Sequence, residues 1–304
     1  MSTISLPQNI QVVEVGPRDG FQNVTKWIPT EKKIEIIEQT ILAGLKKIEV
    51  TSFVHPKAVP QMKDAKEVVE TLREKHKDKL IISALVPNLF GAKNAFEAGV
   101  DEITYVISAS EKHNMANVNK LPSESVDDLK LIMKQFPDLK LKLAVATAFS
   151  CPFAGRTPVE KVLYLVDSVL EVSKEAIICL ADTIGAANPL QTDELISRFK
   201  EYFGEVELSL HLHDTQGMGM ANTVIAMQSG VNTFETSFGG LGGCPFAPGA
   251  SGNMATEDLV NMAHQMGIET GIDMNKLLEA VKLIKSNVET PVVSHISNID
   301  LKCE

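Results

Sequence analysis

The chain has 304 residues, 44% hydrophobic and 22% charged, with a formal net charge of −10. Such a composition excludes a disordered chain. The acidic balance, with no long Lys or Arg run, speaks against nucleic-acid binding, whose affinity comes largely from neutralising phosphates.

No apolar stretch is long enough to cross a bilayer, so no membrane association is expected. The segment Met1–Gln8 has neither a basic leader nor an apolar core, and the expected location is cytoplasmic. Cys151, Cys179, Cys244 and Cys303 show no Cys-x-x-Cys spacing, which argues against a structural zinc site or a disulfide framework.

Apolar, β-branched runs predict strands at Ile10–Val15, Lys47–Ser52, Leu80–Leu85, Glu102–Ser108, Leu139–Thr147, Ala176–Leu180, Val206–His213 and Asn232–Thr236. Helix-length spacers separate them at a period of about 30 residues, the size of a βα unit. Gly44, Gly99, Gly204 and Gly230 each close a helical pattern just before a strand, where a left-handed residue ends the helix. Thr30 and Ser123 stand where they would cap helices, with Glu31 and Glu124 in the first turns. The repeat predicts an α/β protein, a (β/α)₈ barrel. A doubly wound sheet is the alternative, but no Gly-x-Gly-x-x-Gly turn follows the first strand. One catalytic domain is expected over 1–304. Within it, Asn275–Val288 reads as an extra helix of a C-terminal segment packed on the barrel.

In such a barrel the loops after the strands carry the chemistry. The first strand runs into Gly16-Pro17-Arg18-Asp19-Gly20, and the second contains Glu49 within Ile48-Glu49-Val50. The sixth ends in Ala181-Asp182-Thr183, and the seventh in Leu210-His211-Leu212-His213-Asp214. After the eighth comes Gly239–Asn253, with six glycines, two prolines and no charge. Loops of this length in compact domains are usually lids or binding loops.

Alternate strand residues share a face about 6.5–7 Å apart, so His211 and His213 leave the backbone together. They make half of a metal site. Asp19 can add a carboxylate and Asn253 an amide oxygen. Two imidazoles, a carboxylate, a carbonyl oxygen and positions left for water suit a six-coordinate divalent ion. Oxygen ligands favour Mg2+ or Mn2+, and the nitrogens tilt toward Mn2+ or Co2+. A 2-His-1-carboxylate iron site is the competing reading. Arg18 beside a ligand could hold a developing enolate by two hydrogen bonds. Glu49 in an apolar strand must be paired, with Arg18 as one partner, or it positions substrate. Asp182 either caps the following helix or faces substrate. Cys244, carried on the glycine loop, could act as an acid or base near a cation.

These segments resemble 3-hydroxy-3-methylglutaryl-CoA lyases. The likeness runs from about Val12 to Lys282. Its motifs are Val15–Asn23, Ile48–Phe53, Asp182–Gly185, His211–Thr215 and Gly240–Gly249, with Pro87-Asn88 and Cys151–Phe153. The cysteine loop is the most specific of them; related aldolase-like barrels share the histidine motif.

The resemblance implies a divalent-metal lyase, with Mg2+ or Mn2+, that splits 3-hydroxy-3-methylglutaryl-CoA into acetyl-CoA and acetoacetate in leucine degradation. It places Asp19, His211, His213 and Asn253 on the metal. Arg18 would neutralise the thioester enolate, with Gln22, Glu49, Asp182 and Thr183 at the substrate. Cys244 would lie on the mobile loop, and protonation of the carbanion would fall to Cys244 or His211. The expected partner is the acyl-CoA thioester, in a homodimer or higher homo-oligomer.

The chain departs from the family pattern at four positions. Ala144 stands where a tyrosine is usual, Lys142 where an arginine is, Ala181 where a glycine is and Cys179 where a serine is. The same chemistry on a larger 3-hydroxyacyl-CoA is therefore an alternative. Related condensing enzymes usually carry Arg-Asp-Glu where this chain has Arg18-Asp19-Gly20. A barrel that only binds a CoA ester is the non-enzymatic alternative, which four metal-binding groups argue against.

Overall fold

The structure is a computed structural model that describes residues 5–77, 79–243 and 252–299. It begins with β1 (Gln11–Glu14), a single π-helical turn at Gly16–Gly20, α1 (Thr30–Leu42) and β2 (Lys47–Ser52). There follow α2 (Ala65–His76), β3 (Ile81–Leu85), α3 (Leu89–Ala98), β4 (Glu102–Ser108), α4 (Glu111–Val118) and α5 (Pro122–Gln135). After β5 (Lys140–Ala146) a short hairpin, β6 (Ser150–Cys151) and β7 (Gly155–Arg156), leads into α6 (Val159–Leu170) and β8 (Ile177–Asp182). The chain continues through α7 (Pro189–Phe203), β9 (Leu208–Leu212), α8 (Gly219–Gln228) and β10 (Thr233–Thr236). It ends in α9 (Thr256–Gln265) and α10 (Met274–Asn287).

The eight expected strands all form, with ends displaced by a residue or two, and close in the order β1-β10-β9-β8-β5-β4-β3-β2. Every barrel pair is parallel, so each strand delivers its C-terminal end to the same mouth. The main core lies between strands and helices, where Ile37, Leu72, Ile103, Leu129, Val166 and Phe199 are buried. No helix among the described residues is long and apolar enough to cross a membrane.

Two helix starts differ from expectation. Pro29 and Leu121, one and two residues earlier than Thr30 and Ser123, occupy the caps. Proline fixes φ for a helical start, and at α5 the Glu124 carboxylate accepts the Leu121 N–H at 2.7 Å, relieving a donor that Ser123 does not. The β6–β7 hairpin carried no alternation that would have announced it.

A second apolar cluster supports the mouth beside β1. Phe21 and Phe238 meet there with Ile36 of α1, Leu241, and Val281 and Ile284 of α10. The C-terminal helix thus braces the two segments that follow β1 and β10. Gly16 allows their close approach, because a Cβ there would lie 2.5 Å from the Phe238 ring.

Glu14 ties this junction together. Its carboxyl accepts the N–H groups of Gly16 (2.7 Å) and Phe238 (2.9 Å) and the Thr256 hydroxyl (2.7 Å). Burial pushes its pKa from 4.5 up to about 8, and burial likewise pushes Glu257, under Gly239, up to about 7. Raised folded-state values mean that these groups stabilise the fold while protonated. That contribution is complete below the unfolded value near 4.5 and is lost as pH rises through about 7–8. The urea midpoint should therefore fall between about pH 6 and pH 8.5, and fall less in Glu14→Gln, which keeps the shape without the titration. An equally steep fall in that variant would show that Glu14 is not responsible.

Candidate active site

The π-helical turn after β1 buries all five of its residues, Gly16 to Gly20, and turns Arg18 and Asp19 into the barrel mouth. Single π turns of this kind recur at functional sites. Across the mouth, β9 ends in His211 and His213, whose Nε2 atoms lie 3.1 Å apart. His213 sits one residue past the strand and bridges to Asn253. The ligand atoms of Asp19, His211 and His213 all lie within 4.8 Å of one another, and all three residues are buried. Asn253 joins them: its Nδ2 donates to Asp19 Oδ2 at 2.6 Å, and its Oδ1 is buried with no hydrogen-bond partner among the described residues.

This donor set fits a divalent cation. Burial, with His211 alongside, pushes the His213 pKa down to about 3, so the imidazole is neutral and its lone pair available. Burial would raise the Asp19 carboxyl, but Arg18, His211 and His213 hold it below its ordinary value and keep it an anion. The orphaned Asn253 oxygen adds a neutral donor. Gly242 makes room for this assembly: at φ 110°, a Cβ there would lie 2.4 Å from Asn253 Nδ2 and 3.2 Å from Asp19 Oδ2.

Arg18 is clamped from two sides. Its Nε donates to Glu49 Oε1 and its Nη1 to Asp19 Oδ1, which also accepts Gln22 Nε2 at 2.8 Å. Burial opposes the guanidinium charge, yet Asp19 and Glu49 outweigh it and hold the group charged. Glu49 is fully buried in β2 and anionic, since Arg18 and Lys142 overcome its burial. The partner that its apolar strand demanded is therefore Arg18, with Lys142 as a second.

A cavity of about 720 Å³ opens over these groups and is lined by Arg18, Asp19, Gln22, His211, His213 and Glu235. Ala144, Ala146, Ala181 and Thr183 line it from β5, β8 and the residue after. Thr183 Oγ1 accepts the Thr147 N–H at 2.7 Å. That bond helps hold Thr147 at φ 55°, a conformation rare for a β-branched residue. Asp182, in contrast, turns from the cavity. Its carboxylate accepts the N–H groups of Ala186 (3.1 Å) and Ala187 (2.9 Å) in the loop before α7. The cap of that helix is Asn188, whose Oδ1 accepts the Gln191 N–H at 3.0 Å, so Asp182 does not cap it. Burial raises its pKa. Cys244 and Cys303 lie outside the described residues.

Of two further residues in the site, Glu235 was not singled out from the sequence, and Lys142 was noted only as a departure from the family pattern. Glu235 of β10 faces His211, Oε2 to Nδ1 3.0 Å, and Lys142 of β5 bonds its other oxygen. Each is a buried charge in a largely apolar strand, the signal that drew attention to Glu49.

A parallel barrel with an Asp–His–His group and a clamped arginine at its C-terminal mouth defines the class: a (β/α)₈ enzyme built around a site able to hold a metal. The HMGL-like family model matches residues 9–284. The hydroxymethylglutaryl-CoA lyase YngG of Bacillus subtilis is 44% identical over 95% of this chain and 96% of its own. The human mitochondrial hydroxymethylglutaryl-CoA lyase is 38% identical over 98% of this chain and 91% of its own. The structure of an HMG-CoA lyase from Acinetobacter baumannii, in complex with coenzyme A and 3-methylmalate, superposes with a TM-score of 0.92 at 38% identity. It covers 98% of this chain and 97% of that one. The chain belongs to the HMGL-like family and is a lyase.

Proposed function

We propose that the chain cleaves 3-hydroxy-3-methylglutaryl-CoA to acetyl-CoA and acetoacetate with a divalent cation, Mg2+ or Mn2+, held by Asp19, His211, His213 and Asn253. The observation that carries this reading is the convergence of Asp19, His211 and His213 beside Arg18 in one cavity. When bound, the cation would chelate the tertiary hydroxyl and carboxylate of the substrate and make the hydroxyl more acidic.

The protein's own groups do the rest. A base, His211 or Asp19, takes the hydroxyl proton. The bond between the carbinol carbon and the carbon next to the thioester breaks, leaving a ketone on one side and an enolate on the other. Arg18, kept charged and fixed by Glu49 and Asp19, faces the enolate oxygen. A proton delivered to the enolate carbon by Cys244 or His211 completes acetyl-CoA. Gln22, through its bond to Asp19, and Thr183 on the cavity wall would contact the substrate.

A larger 3-hydroxyacyl-CoA is the second reading. It is favoured by the wall of Ala144, Ala146 and Ala181, where only methyl groups face the cavity. A coupled acetyl-CoA release assay with metal-loaded protein tests both. Turnover of hydroxymethylglutaryl-CoA is expected, and longer analogues turned over at least as well would move the assignment to them. Cleavage of none would refute the lyase reading.

A further inference from the structure

We infer that Lys142 is a positioning residue, a cation that joins the two carboxylates on which His211 and Arg18 depend. The inference rests on the lyase reading above and gives Lys142 no chemical step.

The argument starts from topology. β5 neighbours β4 and β8, not β2 or β10, so a bond from Lys142 to either of the latter must cross the barrel interior. Lys142 makes both. Its Nζ bonds Glu235 Oε1 of β10 and lies 3.2 Å from Glu49 Oε2 of β2. The side chain is 1% exposed, so no water competes for those contacts.

Each carboxylate uses its second oxygen on a working residue. Glu235 Oε2 faces His211 Nδ1 at 3.0 Å, and Glu49 Oε1 takes Arg18 Nε. A proton on Nδ1 leaves the lone pair on Nε2, the nitrogen aimed at His213. Thr104 Oγ1 also donates to Glu49 Oε2, which leaves that carboxylate little freedom. Lys142 thus links the orientation of the metal-facing histidine to that of the arginine through two separate arms.

A stability role alone would not account for this arrangement. Buried ion pairs gain little over apolar side chains of the same volume, because desolvation offsets the attraction. Three charged side chains spanning a barrel interior therefore point to orientation. Without the ammonium, Glu49 and Glu235 share no cation; Glu49 keeps Arg18 and Thr104, whereas Glu235 loses the bond that sets it against His211.

The test compares the parent enzyme with Lys142→Met and Lys142→Arg, and adds Glu235→Gln, which keeps volume and packing should Lys142→Met fail to fold. Steady-state rates on hydroxymethylglutaryl-CoA are read beside Mn2+ affinity of the metal-stripped proteins by calorimetry. Lys142→Met is expected to lower kcat at least 100-fold with KM within about threefold, and to weaken Mn2+ about 10–100-fold. Lys142→Arg should recover kcat to within about tenfold of the parent, and Glu235→Gln should weaken Mn2+ about tenfold or more. Parent-like kcat and Mn2+ affinity in folded Lys142→Met, or in Glu235→Gln if that variant alone folds, would overturn the inference. A parent enzyme that cleaves nothing would overturn the lyase reading instead, and the Mn2+ affinities would still decide whether Lys142 places His211.

Discussion

Arg18→Gln is expected to cut turnover by about 10²–10³ or more, the loss that follows removal of an oxyanion donor, while metal affinity changes little. The expectation follows from how Arg18 is held. Two anions, Asp19 and Glu49, grip Nε and Nη1, so the guanidinium is charged and oriented before substrate arrives. Glutamine keeps hydrogen-bonding capacity but no charge, and cannot reach both carboxylates as a planar fork does. Asn253 bonds Oδ2 of Asp19, whereas Arg18 bonds Oδ1, so loss of the guanidinium leaves the Asn253 contact in place. Metal binding and enolate stabilisation should therefore separate in this variant. Single-turnover rates beside Mn2+ calorimetry would check it, and near-parent turnover would remove Arg18 from the chemistry.

His213→Ala should produce the opposite pattern, a loss of metal binding that carries activity down with it. His213 is buried and neutral, so its imidazole offers a lone pair that nothing else in the described site replaces. Affinity for Mn2+ should fall by more than the 10–100-fold typical of losing a group behind a ligand. Activity should return partly at high Mn2+, because Arg18 and the cavity remain in place. Unchanged Mn2+ affinity in His213→Ala would mean that the cation sits elsewhere.

Much of this was legible in the chain because barrels repeat. The βα period predicted each barrel strand, and the strand-end rule brought Arg18, Asp19, His211 and His213 to one mouth. The period-2 spacing of His211 and His213 was enough to set both imidazoles on one face, and their Nε2 atoms meet. What sequence could not supply was pairing across the barrel. Lys142, Glu49 and Glu235 are separated by about a hundred residues or more, and only closure of the sheet turns three isolated charges into one network. Asp182 illustrates the reverse case. It ends a strand beside the cavity, yet the local chain bends so that two backbone N–H groups claim its carboxylate. Strand position alone could not distinguish that from a substrate contact.

Anomalous diffraction from Mn2+-soaked crystals of the protein would test the account most directly. One peak bounded by Asp19, His211, His213 and Asn253 is predicted. A fully occupied Mn2+ at another position, with these four side chains uncoordinated, would contradict it.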